Sequence, residues 1–315
     1  IRCGDMPMAA WPSGDSVTAA LATLAVDSRC ALGEGILWCE RRRVLYWTDI
    51  LAAELWRHDP ASGHTHTWSL PAPLGCLALA RDGRLLLGLA KALHASDVEA
   101  QLDRRDLLTT KLADVEADEP LTRVNDGRAD RHGGFVFGTK SEHADLRPIG
   151  RFHQYTAAHG LRELALPRAA IPNSICFDAD GTTMYFCDSV VPRILRCRYD
   201  AATATVSDIG VFVDLDTPGA EPDGSIIDHE GALWNAQWGA GRVVRYLPDG
   251  RLDRIVRTPA SQPSCCVLAG GTLYLTSARV GLDDAALADQ PLAGGVFVHD
   301  AGRALARSAD RVRLP

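Results

Sequence analysis

Short apolar runs of about five residues, each led by a turn residue, recur along the chain and predict β-strands. Six share one shape: VLYWTD from Val44, RLLLGL from Arg84, GFVFGT from Gly134, TMYFCD from Thr183, ALWNAQ from Ala232 and TLYLTS from Thr272. Their second residues, Leu45, Leu85, Phe135, Met184, Leu233 and Leu273, are spaced 40, 50, 49, 49 and 40 residues apart. Such a period belongs to propeller blades or to helical repeats. The helical option fails because the intervening segments are broken at Ser62-Gly63, Asp82-Gly83, Asp180-Gly181 and Pro248-Asp249-Gly250. The best helical patterns, Glu99 to Leu108 and Asp283 to Ala288, are short.

Each repeat instead reads as four strands. In the first these are Ile36 to Cys39, Val44 to Asp49, Glu54 to His58 and His64 to Ser69, with a hairpin turn at Pro60 to Gly63. The expected fold is therefore all-β: a six-bladed β-propeller with four antiparallel strands per blade, one domain over residues 1–315, with 1–16 a loose N-terminal extension. A ring must close, because an open outer edge invites aggregation. The apolar segment Ala20 to Val26 is expected to supply the closing strand to the last blade, beside Gly295 to Val298.

Composition narrows the partners. The 315 residues are 46% hydrophobic and 23% charged, and 33 Lys and Arg against 40 Asp and Glu give a net charge of −7. No basic run offers a grip on a phosphate backbone, so nucleic acid is not expected as a partner. No stretch nears the roughly 18 apolar residues of a membrane span, and the first residues lack the order of a secretory signal. Neither a membrane nor an obligatory protein partner is expected, and the expected location is the cytoplasm. Nine cysteines, an odd number without CxxC spacing, read as reduced and mostly buried. Cys265 and Cys266 are adjacent, and strand alternation would point them to opposite faces.

The chemistry lies at one phase of the repeat. Ten or eleven residues before the markers stand Glu34, Asn125, Asn173 and Asp223, while Gly75 and Pro263 occupy that phase in the other blades. This position opens the strand nearest the axis, so the four oxygen-bearing side chains converge at one mouth of the channel. Two carboxylates and two amides without a compensating Lys invite a hard divalent cation. Turn formation by Asn and Asp accounts for the periodicity equally well.

The surrounding words are more specific. LGEG before Ile36-Leu37-Trp38, Arg123-Val124-Asn125-Asp126-Gly127, Ile171-Pro172-Asn173 and Pro222-Asp223-Gly224 resemble the SMP-30/gluconolactonase/regucalcin family. The resemblance continues through Pro263-Ser264-Cys265-Cys266, Thr276-Ser277-Ala278-Arg279 and Gln290-Pro291-Leu292-Ala293-Gly294-Gly295-Val296-Phe297. It implies a divalent-metal-dependent hydrolase of sugar lactones, with Glu34, Asn173 and Asp223 as metal ligands and Arg123 and Asn125 holding substrate. Calcium is the first expectation, with magnesium, manganese or zinc as alternatives. Two departures stand out: Asn173-Ser174 where relatives usually have Asn-Gly, and Ser141-Glu142-His143 where some place a substrate-contacting Glu. Glu142 and His143 are both candidates for that contact.

Lactone hydrolysis needs a polarised carbonyl and an activated water. A metal polarises the carbonyl, and the second oxygen of Asp223 can act as general base. Arg123 suits ring hydroxyls or the emerging carboxylate, and Asn125 can both donate and accept. Competing readings are an organophosphate or aryl ester hydrolase and a non-catalytic calcium-binding regulatory propeller. His64 and His66 fall on an outer strand and read as solvated, and no GxSxG supports covalent catalysis.

Overall fold

A computed structural model describes residues 18–302 and 305–315; the expected extension over 1–16 and Cys3 lie outside the described residues. Six sheets surround an axis. From first blade to last, the innermost strands are Gly33–Cys39, Leu74–Leu79, Thr122–Ala129, Pro172–Phe177, Glu221–Ile227 and Pro263–Ala269. Each pairs antiparallel with a strand that carries the repeat marker: Val44–Asp49, Leu85–Leu89, Phe135–Ser141, Thr183–Asp188, Leu233–Trp238 and Thr272–Ser277. The inner strands also pack on those of both neighbouring blades, which completes the ring.

Burial explains why the marker strands are so apolar. Val44–Asp49, Leu74–Leu79 and Leu85–Leu89 are buried at every position, because blades stack face to face and leave inner strands no solvated side. Trp47, Trp68, Trp234, Phe135 and Phe137 fill the wedges between blades. Cys265 and Cys266 face two different inter-blade clusters, as alternation requires. All eight described cysteines are unpaired and buried.

The Asp of the YWTD run is structural. Asp49 accepts from the backbone N–H of Ala31 (2.7 Å) and Leu32 (3.0 Å), and Asp188 holds Ala170 (2.8 Å) and Ile171 (2.9 Å) the same way in blade four. Both clamp the segment that leads into an inner strand. His64 and His66 lie at the outside of blade one, where the His66 ring sits edge-on to Trp68.

Closure differs from the expectation for Ala20 to Val26. Only Thr23–Val26 joins the last blade, antiparallel to Val296–Asp300 with Thr23 opposite Val298 and Val26 opposite Val296. The preceding strand, Thr18–Leu21, runs parallel to Leu252–Arg257 as a fifth strand of blade five. The reason is Ala22: its N–H donates to Arg257 O at 2.9 Å and its side chain is buried between the two blades. The chain therefore crosses from one blade to the next at that residue.

A second feature had no strand pattern to announce it. The C-terminal segment crosses the far mouth of the channel: Arg307 Nη1 donates to Asp178 O (2.8 Å), and Val312 bridges Ala80. Beneath it lies a cavity of about 90 Å³ lined by Leu37, Leu77, Phe177, Ile226, Val267 and Arg128. No helix among the described residues is long and apolar enough to cross a membrane.

Candidate active site

Every inner strand carries a register shift at the phase singled out in the sequence: Glu34/Leu37, Leu74/Cys76, Val124/Gly127, Asn173/Cys176, Pro222/Ser225 and Pro263/Cys266. A bulge frees one residue from the ladder and re-aims its side chain. Gly75, Asn125 and Asp223 lie within their bulges, while Glu34, Asn173 and Pro263 are the last paired residues before theirs. Blade two leaves that position to glycine for lack of room: a Cβ on Gly75 would stand 2.3 Å from Val124 O.

Glu34, Asn125, Asn173 and Asp223 are brought together. Glu34 and Asp223 lie within hydrogen-bond reach of each other. Burial, followed by the Asp126 charge, raises the Glu34 carboxyl; burial, then Glu34 and Asp126, raises Asp223 well above the usual range. Gly35 N–H donates to Glu34 Oε2 (3.0 Å), but Asp223 Oδ1 is buried without a hydrogen-bond partner. Such an orphaned acceptor beside a second, half-buried carboxylate is costly unless a cation joins them.

Asn173 is held at both ends of its amide. Its Nδ2 donates to Ser189 Oγ (2.9 Å), while Oδ1 accepts from Asn125 Nδ2 (3.2 Å). Among the described residues no three His, Cys, Asp or Glu side chains gather closely enough to hold an ion by themselves. Carboxylate and amide oxygens are nevertheless hard donors of the kind an oxygen-loving divalent ion takes.

Arg123, Asn125 and Glu142 form the rim beside this cluster. Arg123 Nη1 donates to Asn125 Oδ1 (2.9 Å), and Arg123 Nε lies 3.3 Å from Glu142 Oε1. Arg123 is buried whereas Glu142 is exposed, so the pair spans the boundary between site and solvent. Of Glu142 and His143, Glu142 is the one that reaches Arg123. His143 contributes its backbone N–H to Ser141 Oγ (3.3 Å), and its half-buried ring has no hydrogen bond among the described residues.

Several residues at the site had been given no role from the sequence. Lys140 Nζ is 4.0 Å from Glu142 Oε1; burial and then Arg123 lower its pKa, against the pull of Glu142 and Asp223. Asp126 Oδ2 accepts from Ile175 N–H in blade four (2.8 Å). Ser174 Oγ donates to Asp223 O (2.6 Å), and Ser264 Oγ donates to Gly33 O. Asp126, Ser174 and Ser264 each stand one place after the site phase and each tie their blade to the next. That shared phase is the signal that would have found them. Ser174 does so at φ 59°, a left-handed conformation that costs a non-glycine residue about 1–2 kcal/mol.

Comparison with known proteins identifies the family and the fold. Residues 32–279 match the SMP-30/Gluconolactonase/LRE-like region. The chain is 50% identical over 298 residues to the L-arabinolactonase of Azospirillum brasilense, covering 93% of this chain and 97% of that one. It is 34% identical to the 6-deoxy-6-sulfogluconolactonase of Pseudomonas putida, over 84% and 90% of the two chains. Among solved structures it resembles a calcium-binding regucalcin from Agrobacterium tumefaciens, with TM-score 0.86 and 31% identity over 95% of this chain and 100% of the other.

Proposed function

The chain belongs to the SMP-30/gluconolactonase/LRE-like family, and from that premise we propose that it hydrolyses a sugar lactone, with a five-carbon aldonolactone preferred. The single observation behind the reading is the meeting of Glu34, Asn173 and the orphaned Asp223 carboxylate at one mouth of the channel, beside the buried Arg123. The preference for five carbons rests on the 50% identity to a protein named as an L-arabinolactonase.

Glu34, Asn173 and Asp223 are the residues to hold a divalent cation, calcium first. Such an ion, when bound, supplies a Lewis acid that polarises the ester carbonyl. Asp223 has a second oxygen to take the proton of the attacking water and return it to the ring oxygen as the C–O bond breaks. Arg123 offers a planar fork to the ring hydroxyls and to the new carboxylate. Asn125 is oriented by Arg123 so that its amide faces the site. Lys140 and Glu142 place opposite charges at the rim, where they sort hydroxyl patterns.

The test is a pH-drop assay on protein freed of metal. Five- and six-carbon aldonolactones, an aryl ester and a phosphotriester are offered with Ca²⁺, Mg²⁺, Mn²⁺ or Zn²⁺ added singly. The expected result is turnover only with an ion, fastest on the arabinonic lactone, together with a melting temperature raised by the same ion. Phosphotriester hydrolysis exceeding lactone hydrolysis, or full lactone turnover in chelator, would overturn the reading.

A further inference from the structure

We propose that Ser174 is a positioning residue whose hydroxyl fixes the backbone of Asp223, and with it the geometry of the site; this rests on the role given to Asp223 above. The bulge between Pro222 and Ser225 leaves Asp223 out of its own sheet register. Two hydrogen bonds stand in for the missing ladder: Ser174 Oγ donates to Asp223 O at 2.6 Å, and Asn235 Nδ2 donates to the same oxygen at 3.0 Å. Ser174 Oγ in turn accepts from Ser225 Oγ (3.0 Å) and Asn235 Nδ2 (3.2 Å), and Asn235 Nδ2 also reaches Ser225 Oγ (3.0 Å). Ser174, Ser225 and Asn235 have no solvent exposure. Asp223 Oδ1 has no donor of its own, so besides the Glu34 contact the direction of this carboxylate is set by its main chain.

The chain supplies its own comparison. Gly35 follows Glu34 as Ser174 follows Asn173, and both residues have φ 59°. In these two bulges that position is left-handed, a conformation glycine adopts without strain. Blade one uses glycine there, whereas blade four keeps a strained serine. Its hydroxyl links the strand bearing Asn173 to the strand bearing Asp223, and so sets the separation of two candidate ligands from neighbouring blades. A strained residue whose hydroxyl makes this link is read as serving the site.

Ser174→Ala removes the hydroxyl and keeps the strain; Ser174→Gly removes both. Three measurements separate the effects: calorimetric titration with Ca²⁺, Mg²⁺, Mn²⁺ and Zn²⁺, melting in chelator, and steady-state lactone hydrolysis. Both variants should lose about tenfold or more in ion affinity and in kcat, the scale of a lost supporting contact behind a ligand, with KM within about twofold. In chelator Ser174→Gly should melt near the parent and Ser174→Ala below it, so that affinity follows the hydroxyl while stability follows the backbone. Parental ion affinity in either variant overturns the proposal. Should Ser174→Ala not fold, Ser174→Gly decides alone. A parent that binds none of the four ions and opens no lactone sinks the functional reading and this inference with it, an outcome distinct from a parent that binds while the variants match it.

Discussion

Arg123 and Asn125 are locked together across one bulge of blade three: Arg123 Nη1 donates to Asn125 Oδ1 at 2.9 Å, which leaves Asn125 Nδ2 for Pro172 O at 3.0 Å and Asn173 Oδ1 at 3.2 Å. A residue assigned to substrate thus orients, at one remove, a residue assigned to the cation. The two roles are chained but not shared, since Arg123 itself reaches neither carboxylate of the pair through a hydrogen bond among the described residues.

That arrangement predicts a split in Arg123→Ala. KM for the preferred lactone should rise about tenfold or more, as expected on losing a charge-assisted contact to substrate, while the affinity for the divalent ion changes by no more than about threefold. Glu142→Gln should act in the same direction but weakly, because Glu142 is an exposed partner of Arg123 at 3.3 Å. Steady-state kinetics beside metal titration check both, and lost metal binding in Arg123→Ala would show that the roles are one.

Asp223→Asn separates charge from shape. The amide keeps one oxygen for a cation but has no basicity, so kcat should fall by at least about 10². Added metal should not restore it. The check is single-turnover hydrolysis at saturating ion, where near-parental rates would remove Asp223 from the base role.

The site was legible where it depended on period and hidden where it depended on register. Glu34, Asn125, Asn173 and Asp223 share a phase, and each lies within or just before the bulge of its inner strand. Gly75 could be placed at the phase but not explained until Val124 O appeared beside it. Ser174, Asn235 and Lys140 act through neighbouring blades, and strand periodicity carries no information about which side chain a bulge will turn toward the next sheet. The closing strand was placed correctly for Thr23–Val26 because an apolar segment ahead of the first repeat has no blade of its own and a ring must close. Its first half was misassigned because an alanine that crosses between blades reads like any other strand residue. The C-terminal segment over the far mouth has no periodicity to read.

A buried acid away from the site predicts acid sensitivity. Glu116 is buried, which raises its pKa, but hydrogen bonds from His153, Thr122 and Thr139 outweigh burial and leave the carboxyl below its ordinary value. A depressed carboxylate contributes stability that is full above the unfolded value of about 4.3 and is lost as pH falls through the lower folded value. Glu116→Gln should therefore cost about 1–3 kcal/mol near neutral pH, and the gap to the parent should narrow below about pH 4. Urea melts from pH 7 to pH 3 test this; a constant gap across that range would mean that the charge of Glu116 contributes nothing.

The two N-terminal strands predict unequal truncations. Removing residues 1–21 takes away a parallel fifth strand from blade five and leaves Leu252–Arg257 as an outer edge, the condition of the fourth strand in the other blades. Leu21 is 64% exposed, so little apolar burial goes with it, and the truncated chain should stay monomeric and melt within a few degrees of the parent. Removing residues 1–26 also takes Ala22 from the core between blades and strips Thr23–Val26 from the last blade, exposing the backbone of Val296–Asp300 as a new edge. Unpaired edges template association, and the blade that loses its fourth strand is the one through which the ring is closed. This longer truncation should melt well below the shorter one and associate in light scattering. Equal melting and equal size for the two would place ring closure elsewhere than in Thr23–Val26.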